Sequence, residues 1–168
     1  GDWQNGGPKT YTLTTGEEHL DLSSKNLGPA DVTLVAAWLT TSAAAALNSL
    51  KCANNPGMVG ELNEYGNLKT PDAHAEVFKE LTDSLKTSQV TEVDFSSCGI
   101  GPVALGHLSD WVRDAEAAIN SLALGSNPIG DEAMIRLLDE LKDVRLNSFD
   151  ITRTNCGVPT ASKLAELL

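Results

Sequence analysis

The chain has 168 residues, with 23 Asp and Glu against 12 Lys and Arg and a formal net charge of −11 at pH 7. That length suits one compact domain, and 41% hydrophobic with 21% charged residues excludes both a disordered polyelectrolyte and a disulfide-dense miniprotein. The acidic balance argues against binding to nucleic-acid backbones or anionic membrane surfaces, which recruit Lys and Arg, and no apolar run approaches the roughly 20 residues that span a bilayer.

Residues 1–16 read as a flexible tail and an N-terminal cap strand. Gly1 to Pro8 are Gly-rich and polar, and Thr10-Tyr11-Thr12-Leu13-Thr14-Thr15 is β-prone and placed to cover the open side of the first apolar unit. That unit comprises Leu20, Leu22, Lys25, Leu27 and Gly28, then Val32, Val35, Trp38 and Leu39 at helical spacing. Leu47, Leu50, Cys52, Asn55 and Gly57 restate the first group less regularly. An insertion at about 58–69, with Gly60, Asn63, Tyr65, Gly66 and Asn67, interrupts the pattern. Thr70-Pro71-Asp72 then signals a helix start ahead of Val77, Leu81 and Leu85.

The pattern is clearest in the next two stretches. Val90-Thr91-Glu92-Val93-Asp94-Phe95-Ser96-Ser97-Cys98-Gly99-Ile100-Gly101 lies over Ile119-Asn120-Ser121-Leu122-Ala123-Leu124-Gly125-Ser126-Asn127-Pro128-Ile129-Gly130 with apolar residues matching throughout. Both fit L-x-x-L-x-L-x-x-N/C-x-L followed by Gly. Each leads into a helical stretch, Leu105, Leu108, Trp111 and Val112 in one case and Met134, Leu137, Leu138 and Leu141 in the other, the latter opened by Asp131-Glu132. A last copy runs Leu146, Phe149, Ile151, Thr154, Cys156 and Gly157. Leu164, Leu167 and Leu168 then close the sequence with no polar segment after them. Either the natural chain continues, or a partner covers that helix. With Leu20, Leu50, Val93, Leu122 and Phe149 as equivalents, the steps are 30, 43, 29 and 27 residues, so the second step carries the insertion.

This chain resembles the leucine-rich repeat proteins, specifically the ribonuclease-inhibitor-like class with repeats of about 28 residues. The resemblance implies an α/β fold: a right-handed horseshoe solenoid of about five repeats, parallel strands on the concave face and helices on the convex face, spanning residues 17–168 as one domain. Physical reasoning gives the same unit. L-x-L is a short strand with alternate side chains inward. The Asn or Cys turns the chain and satisfies backbone groups in the curve, and a helix returns it for the next parallel strand. Trp38 and Trp111 share one phase, 18 residues after Leu20 and Val93, and read as core.

Catalytic, cofactor and metal readings are weak throughout, so the expectation is a non-enzyme with no cofactor and no metal site. Gly99-Ile100-Gly101-Pro102-Val103-Ala104 fits a dinucleotide fingerprint. However, Gly101 recurs at Gly28, Gly130 and Gly157, and no acid follows Leu124 to hold a ribose. Cys52, Cys98 and Cys156 fall on repeat positions and read as buried structural thiols in a reducing compartment. His19, His74 and His107 share no metal spacing and read as surface residues. Asp131, Glu132, Asp139, Glu140 and Asp143 read as a solvated helix face.

The outward strand places define a candidate binding face. Asp21, Lys51, Asp94, Ala123 and Asp150 would stand side by side, with His19, Ser49, Glu92, Ser121 and Ser148 one step earlier. Ser23, Ala53, Ser96, Gly125 and Thr152 come one step later, then Ser24, Asn54, Ser97, Ser126 and Arg153. Lacking large aromatics, this acidic, hydroxyl-rich surface would draw a basic protein partner through Asp21, Glu92, Asp94 and Asp150. Ser23, Lys51, Ser96 and Arg153 would contribute, and Tyr65 would supply an anchor. The expected function is a protein-protein interaction module, cytoplasmic, a monomer or part of a larger chain. A structural subunit that assembles through its uncapped C-terminal helix into a dimer or large assembly, or a small-GTPase regulator using Arg153, are the alternatives.

Overall fold

The computed structural model describes residues 9–115 and 119–167. Its elements run β1 (His19–Asp21), α1 (Pro29–Leu39), a single 3-10 turn (Ser42–Ala44), β2 (Ser49–Lys51), β3 (Glu61–Leu62), β4 (Leu68–Thr70), α2 (Ala75–Leu85), β5 (Glu92–Asp94), α3 (Pro102–Asp114), β6 (Ser121–Ala123), α4 (Asp131–Glu140), β7 (Ser148–Asp150) and α5 (Val158–Leu167). This is an α/β fold. Five parallel strands form one sheet in the order β1-β2-β5-β6-β7, and β3 and β4 form a separate antiparallel hairpin.

The register follows the apolar pattern: Leu20, Leu50, Val93, Leu122 and Phe149 are Cα partners across the sheet. A slip of one residue would turn this row outward, and burying it is what selects the register. Behind the strands lie Leu22, Cys52, Phe95 and Leu124, all buried, against helix residues such as Val35, Leu81, Leu108 and Leu137. Phe78 of α2 meets Phe95 edge to face, with ring centroids 5.3 Å apart at 85°, a geometry that suits the aromatic quadrupole. Trp38 and Trp111 are both buried as expected, and among the described residues the Trp38 indole N–H meets no acceptor.

Two asparagines hold the turns. Asn127 is fully buried; its Oδ1 accepts the N–H groups of Cys98 and Ile100 at 3.0 Å each, and its Nδ2 donates to the carbonyls of Phe95 and Leu124 at 2.9 Å and Gly125 at 3.3 Å. Asn55 makes the matching set with Lys25, Leu27, Leu22, Cys52 and Ala53. Each amide thereby pairs the buried polar backbone of two successive turns. The residue before this place is left-handed in all five turns: Ser24, Asn54, Ser97, Ser126 and Arg153 have φ between 51° and 62°.

Several expectations need correction. Gly1 to Pro8 lie outside the described residues, and no strand forms over Thr10 to Thr15. The cap is instead an irregular segment whose Tyr11 and Leu13 pack on the core, with the Tyr11 hydroxyl donating to Asp31 Oδ1 at 2.6 Å. Burial, then that hydrogen bond, raises the Tyr11 phenol above its usual range. The insertion is shorter than its spacing suggests, because Met58 and Val59 are core residues. What projects is the β3–β4 hairpin, with Gly66 at φ 82° in its turn.

Asp72 does not start α2. It is left-handed at φ 61°, and α2 begins at Ala75. Cys156 is half-buried, unlike Cys52 and Cys98, because it faces the end of the sheet, where no further strand stands over it among the described residues. His74 is the cap residue of α2 and half-buried. His107 is also half-buried, its Nε2 enclosed with no partner among the described residues, so neither is an ordinary surface residue. Asp131 and Asp139 are not merely solvated, since Asp131 caps α5 and Asp139 pairs with Lys163.

Candidate functional site

The outward residues form an ordered row. Asp21, Lys51, Asp94, Ala123 and Asp150 are Cα partners in sequence across the five strands, and His19, Ser49, Glu92, Ser121 and Ser148 form the row beside them. At the ends of the row Asp21 and Asp150 are exposed, whereas Glu92 and Asp94 on the central strand are half-buried. The acids do not adjoin: Lys51 separates Asp21 from Asp94, and Ala123 separates Asp94 from Asp150. With strands about 4.8 Å apart, like charges in the row stand about 10 Å from each other, near the screening length in physiological salt. The face is an alternating pattern, not a continuous acidic stripe.

These acids also hold the backbone. Oδ1 of Asp21, Asp94 and Asp150 accepts the N–H two residues on, from Ser23 at 2.9 Å, Ser96 at 3.0 Å and Thr152 at 2.9 Å. The Ser23 side chain and N–H, in that order of effect, hold the Asp21 carboxyl below its usual range, and Lys51 adds a smaller pull in the same direction. The Thr152 N–H and hydroxyl do the same for Asp150. Sequence spacing places the acids but gives no sign of this D-x-[ST] turn, although the motif Asp21-Leu22-Ser23, Asp94-Phe95-Ser96, Asp150-Ile151-Thr152 is visible once the contact is known. Gly125 is outward yet buried: a Cβ there would meet Thr152 Oγ1 at 3.2 Å and Asp150 Oδ1 at 3.4 Å.

Tyr65 lies at the tip of the β3–β4 hairpin and is 78% exposed. Asn63 shapes that tip, its Oδ1 accepting the N–H of Tyr65 at 2.8 Å and of Asn67 at 3.1 Å. Lys69 pairs with Glu61 across the hairpin at 3.4 Å. The base is anchored where β2 and β5 end. Leu62 packs within 3.2 Å of the space a Cβ on Gly57 would take, and Gly99, at φ 78°, approaches Gly60 N and Pro56 O so closely that a Cβ would lie 2.6 Å from each. The hairpin therefore stands at the C-terminal rim of the strands. Arg153 is exposed in the last left-handed turn, beyond β7 and outside the strand row.

The glycine-rich stretch before α3 has a different occupant from the one its motif suggests. Asp72 places its carboxylate over the helix N-terminus, Oδ1 accepting from Gly101 N at 2.7 Å and Ala104 N at 3.0 Å, and Oδ2 from Val103 N at 2.7 Å. These are the donors a bound phosphate would use. Elsewhere, hollows of about 320 and 350 Å³ flank Thr87, Ser88 and Gln89 at the opposite rim of the strands, away from the hairpin. No group of three or more His, Cys, Asp and Glu that could hold a metal gathers among the described residues. No helix among them is long and apolar enough to cross a membrane.

Comparison with protein-family models and with curated proteins gives no match. Among solved structures, the chain is similar to one described as "Leiomodin-1 Actin-Binding Site 2 (ABS2)", at 20% sequence identity and a TM-score of 0.49. The likeness covers 68% of this chain and 65% of that one, so the chain spans a little under two thirds of its length.

Proposed function

We propose that this chain is a non-enzymatic protein-interaction module: a leucine-rich-repeat-like solenoid that docks a protein partner on its outward strand face, with the β3–β4 hairpin as a second contact. The observation that carries this reading is the pairing of an ordered row of polar strand residues, half-buried at Glu92 and Asp94, with a hairpin that presents Tyr65 at the rim of the same strands. Repeat architectures offer such extended surfaces because each unit adds one strand to a continuous sheet. Tyr65 supplies the large aromatic area that the row itself lacks.

The partner is a protein with basic groups spaced to meet Asp21, Asp94 and Asp150, steered by the net charge of −11. A reducing, cytoplasmic setting suits the unpaired, buried Cys52 and Cys98. The test is association with the partner measured at low and high salt. Asp94→Lys with Asp150→Lys should slow association and flatten its salt dependence, and Tyr65→Ala should raise the dissociation rate. Unchanged rates in both variants would place the site elsewhere.

A further inference from the structure

Lys51 is the single cation in the row of Asp21, Lys51, Asp94, Ala123 and Asp150, with Asp21 and Asp94 as its Cα partners on either side. Neither acid takes it. Asp21 Oδ1 and Asp94 Oδ1 are turned to the N–H groups of Ser23 and Ser96 on their own strands, and among the described residues the exposed Lys51 ammonium enters no ion pair or hydrogen bond. Two residues back on the same strand, Ser49 carries a second unmet group. Its place is outward, because Leu50 beside it is inward and fully buried, yet Ser49 is only 3% exposed. Its hydroxyl has no partner among the described residues. Nor is it one of the enclosed atoms without a partner, which belong to Trp38, His107 and Ser109. The little of Ser49 that remains exposed therefore includes the hydroxyl. A buried hydroxyl without a bond is a cost that a ligand can lift. On β2 a donor hydroxyl and an unpaired ammonium thus share one side of the strand, about 6.6 Å apart at the backbone, which fits one carboxylate accepting from both.

A lone carboxylate would be repelled there. Asp21 and Asp94 stand about 4.8 Å to either side, and Glu92 lies beside Ser49. The anion has to arrive with cations that meet those acids. We infer, resting on docking at the strand face, that the partner segment is an α-helix laid across the strands. One residue per turn faces them, in the order basic, acidic, basic, neutral, basic from β1 to β7. The basic residues meet Asp21, then Asp94 with Glu92, then Asp150. The acid meets Lys51 and Ser49, and the neutral residue lies over Ala123, where Ser121 and the buried Gly125 add no charge.

Spacing selects the helix. The five strands span about 19 Å in four steps of about 4.8 Å. Four helical turns rise about 22 Å, a mismatch that long side chains absorb. Alternate residues of an extended chain advance about 6.6 Å and would overrun the sheet by about one and a half strands. A uniformly basic helix fits less well, because it sets a second cation against Lys51.

The test uses three synthetic, Ala-rich helical peptides of about 18 residues. Each has Lys at the positions facing β1, β5 and β7 and Ala facing β6, with Glu, Gln or Lys at the position facing β2. They are titrated into the full chain at low salt and followed by fluorescence anisotropy. The Glu peptide should bind at least about threefold more tightly than the Gln peptide, and the Lys peptide more weakly still. Lys51→Glu should invert that order and Lys51→Gln should abolish it, while Ser49→Ala should weaken the Glu peptide about threefold. Equal binding of the three peptides, an order that survives Lys51→Glu, or no binding of any at about 1 mM overturns the inference. Binding of unchanged affinity and order in the chain carrying Asp94→Lys with Asp150→Lys would instead put the peptides off the strand face, and would remove the docking reading along with the inference.

Discussion

Asp72 and Gly101, 29 residues apart, are joined by a 2.7 Å hydrogen bond from the Gly101 N–H to the Asp72 carboxylate, which also takes the N–H groups of Val103 and Ala104. The hairpin makes this contact reachable, since Asp72 lies just after β4 and turns with φ 61° so that its side chain lies over α3. Gly101 is needed for room, not conformation: a Cβ there would stand 2.6 Å from Asp72 Oδ2. Losing a helix cap costs about 1–2 kcal/mol. Asp72→Ala and Gly101→Ala should each lower stability by about that amount in denaturant melts, and the double variant should cost less than their sum because both remove one contact. Full additivity would mean that the two substitutions act through different contacts.

Asn127 carries more. Its amide serves two donors and three acceptors in a fully buried turn. Asn127→Ala strands all of them and should cost about 3 kcal/mol. Asn127→Asp is the sharper probe: it is nearly isosteric but replaces the donating NH₂ with an oxygen facing three carbonyls. Equilibrium unfolding at neutral pH should rank it at least as destabilised as Asn127→Ala. A near-neutral Asn127→Asp would show that packing, not hydrogen bonding, holds the turn.

Local spacing is enough to read the sheet register, the helices and the Asn127 turn, because each is set by apolar residues two to four places apart. Contacts across about 30 residues are not legible that way. Nothing near Asp72 announces that it caps α3, because the apolar spacing after it points to a helix of its own. The base of the hairpin reads as loop because Met58 and Val59 lie outside the repeat pattern, yet both are buried. Cys156 aligns with Ile100 and Ile129, and the analogy breaks at the edge of the sheet, where no later strand covers it among the described residues. The register of the outward strand places is legible, but the burial of Ser49 and Gly125 among them is not, and the turn-forming role of their acids is hidden when they are read only as surface charge.

The thiols separate on this basis. Burial pushes Cys52 and Cys98 well above the ordinary thiol range, whereas Cys156 is only half-buried. Native protein treated with a thiol reagent at pH 8 should show one faster-reacting group, removed by Cys156→Ser, and two that react only as the chain unfolds. Rapid labelling of Cys98 would contradict the buried turn described for it.

Asp131 links α4 to α5, its Oδ1 accepting the N–H of Gly157 at 2.9 Å and the N–H and hydroxyl of Thr160 at 3.1 and 2.6 Å. The Thr160 hydroxyl first, then the Gly157 N–H, holds its carboxyl below the usual range. A lowered folded-state pKa stabilises above the unfolded value, about 3.9, and that contribution disappears as pH falls through the folded value. The stability gap between the parent chain and Asp131→Asn should therefore be constant above about pH 5 and shrink below about pH 4. A gap that widens in acid would reverse the assignment.

Docking on the outward strand face and its hairpin, as opposed to the helical side, is tested most directly by photo-crosslinking in extract from the source cell. The crosslinking residue is placed in turn at position 94, at position 65 and at the exposed Val103 of α3. One discrete crosslinked protein should be captured from positions 94 and 65, reduced by high salt and by Asp150→Lys, and absent from position 103. Capture of a discrete protein from position 103 alone would contradict docking on the strand face.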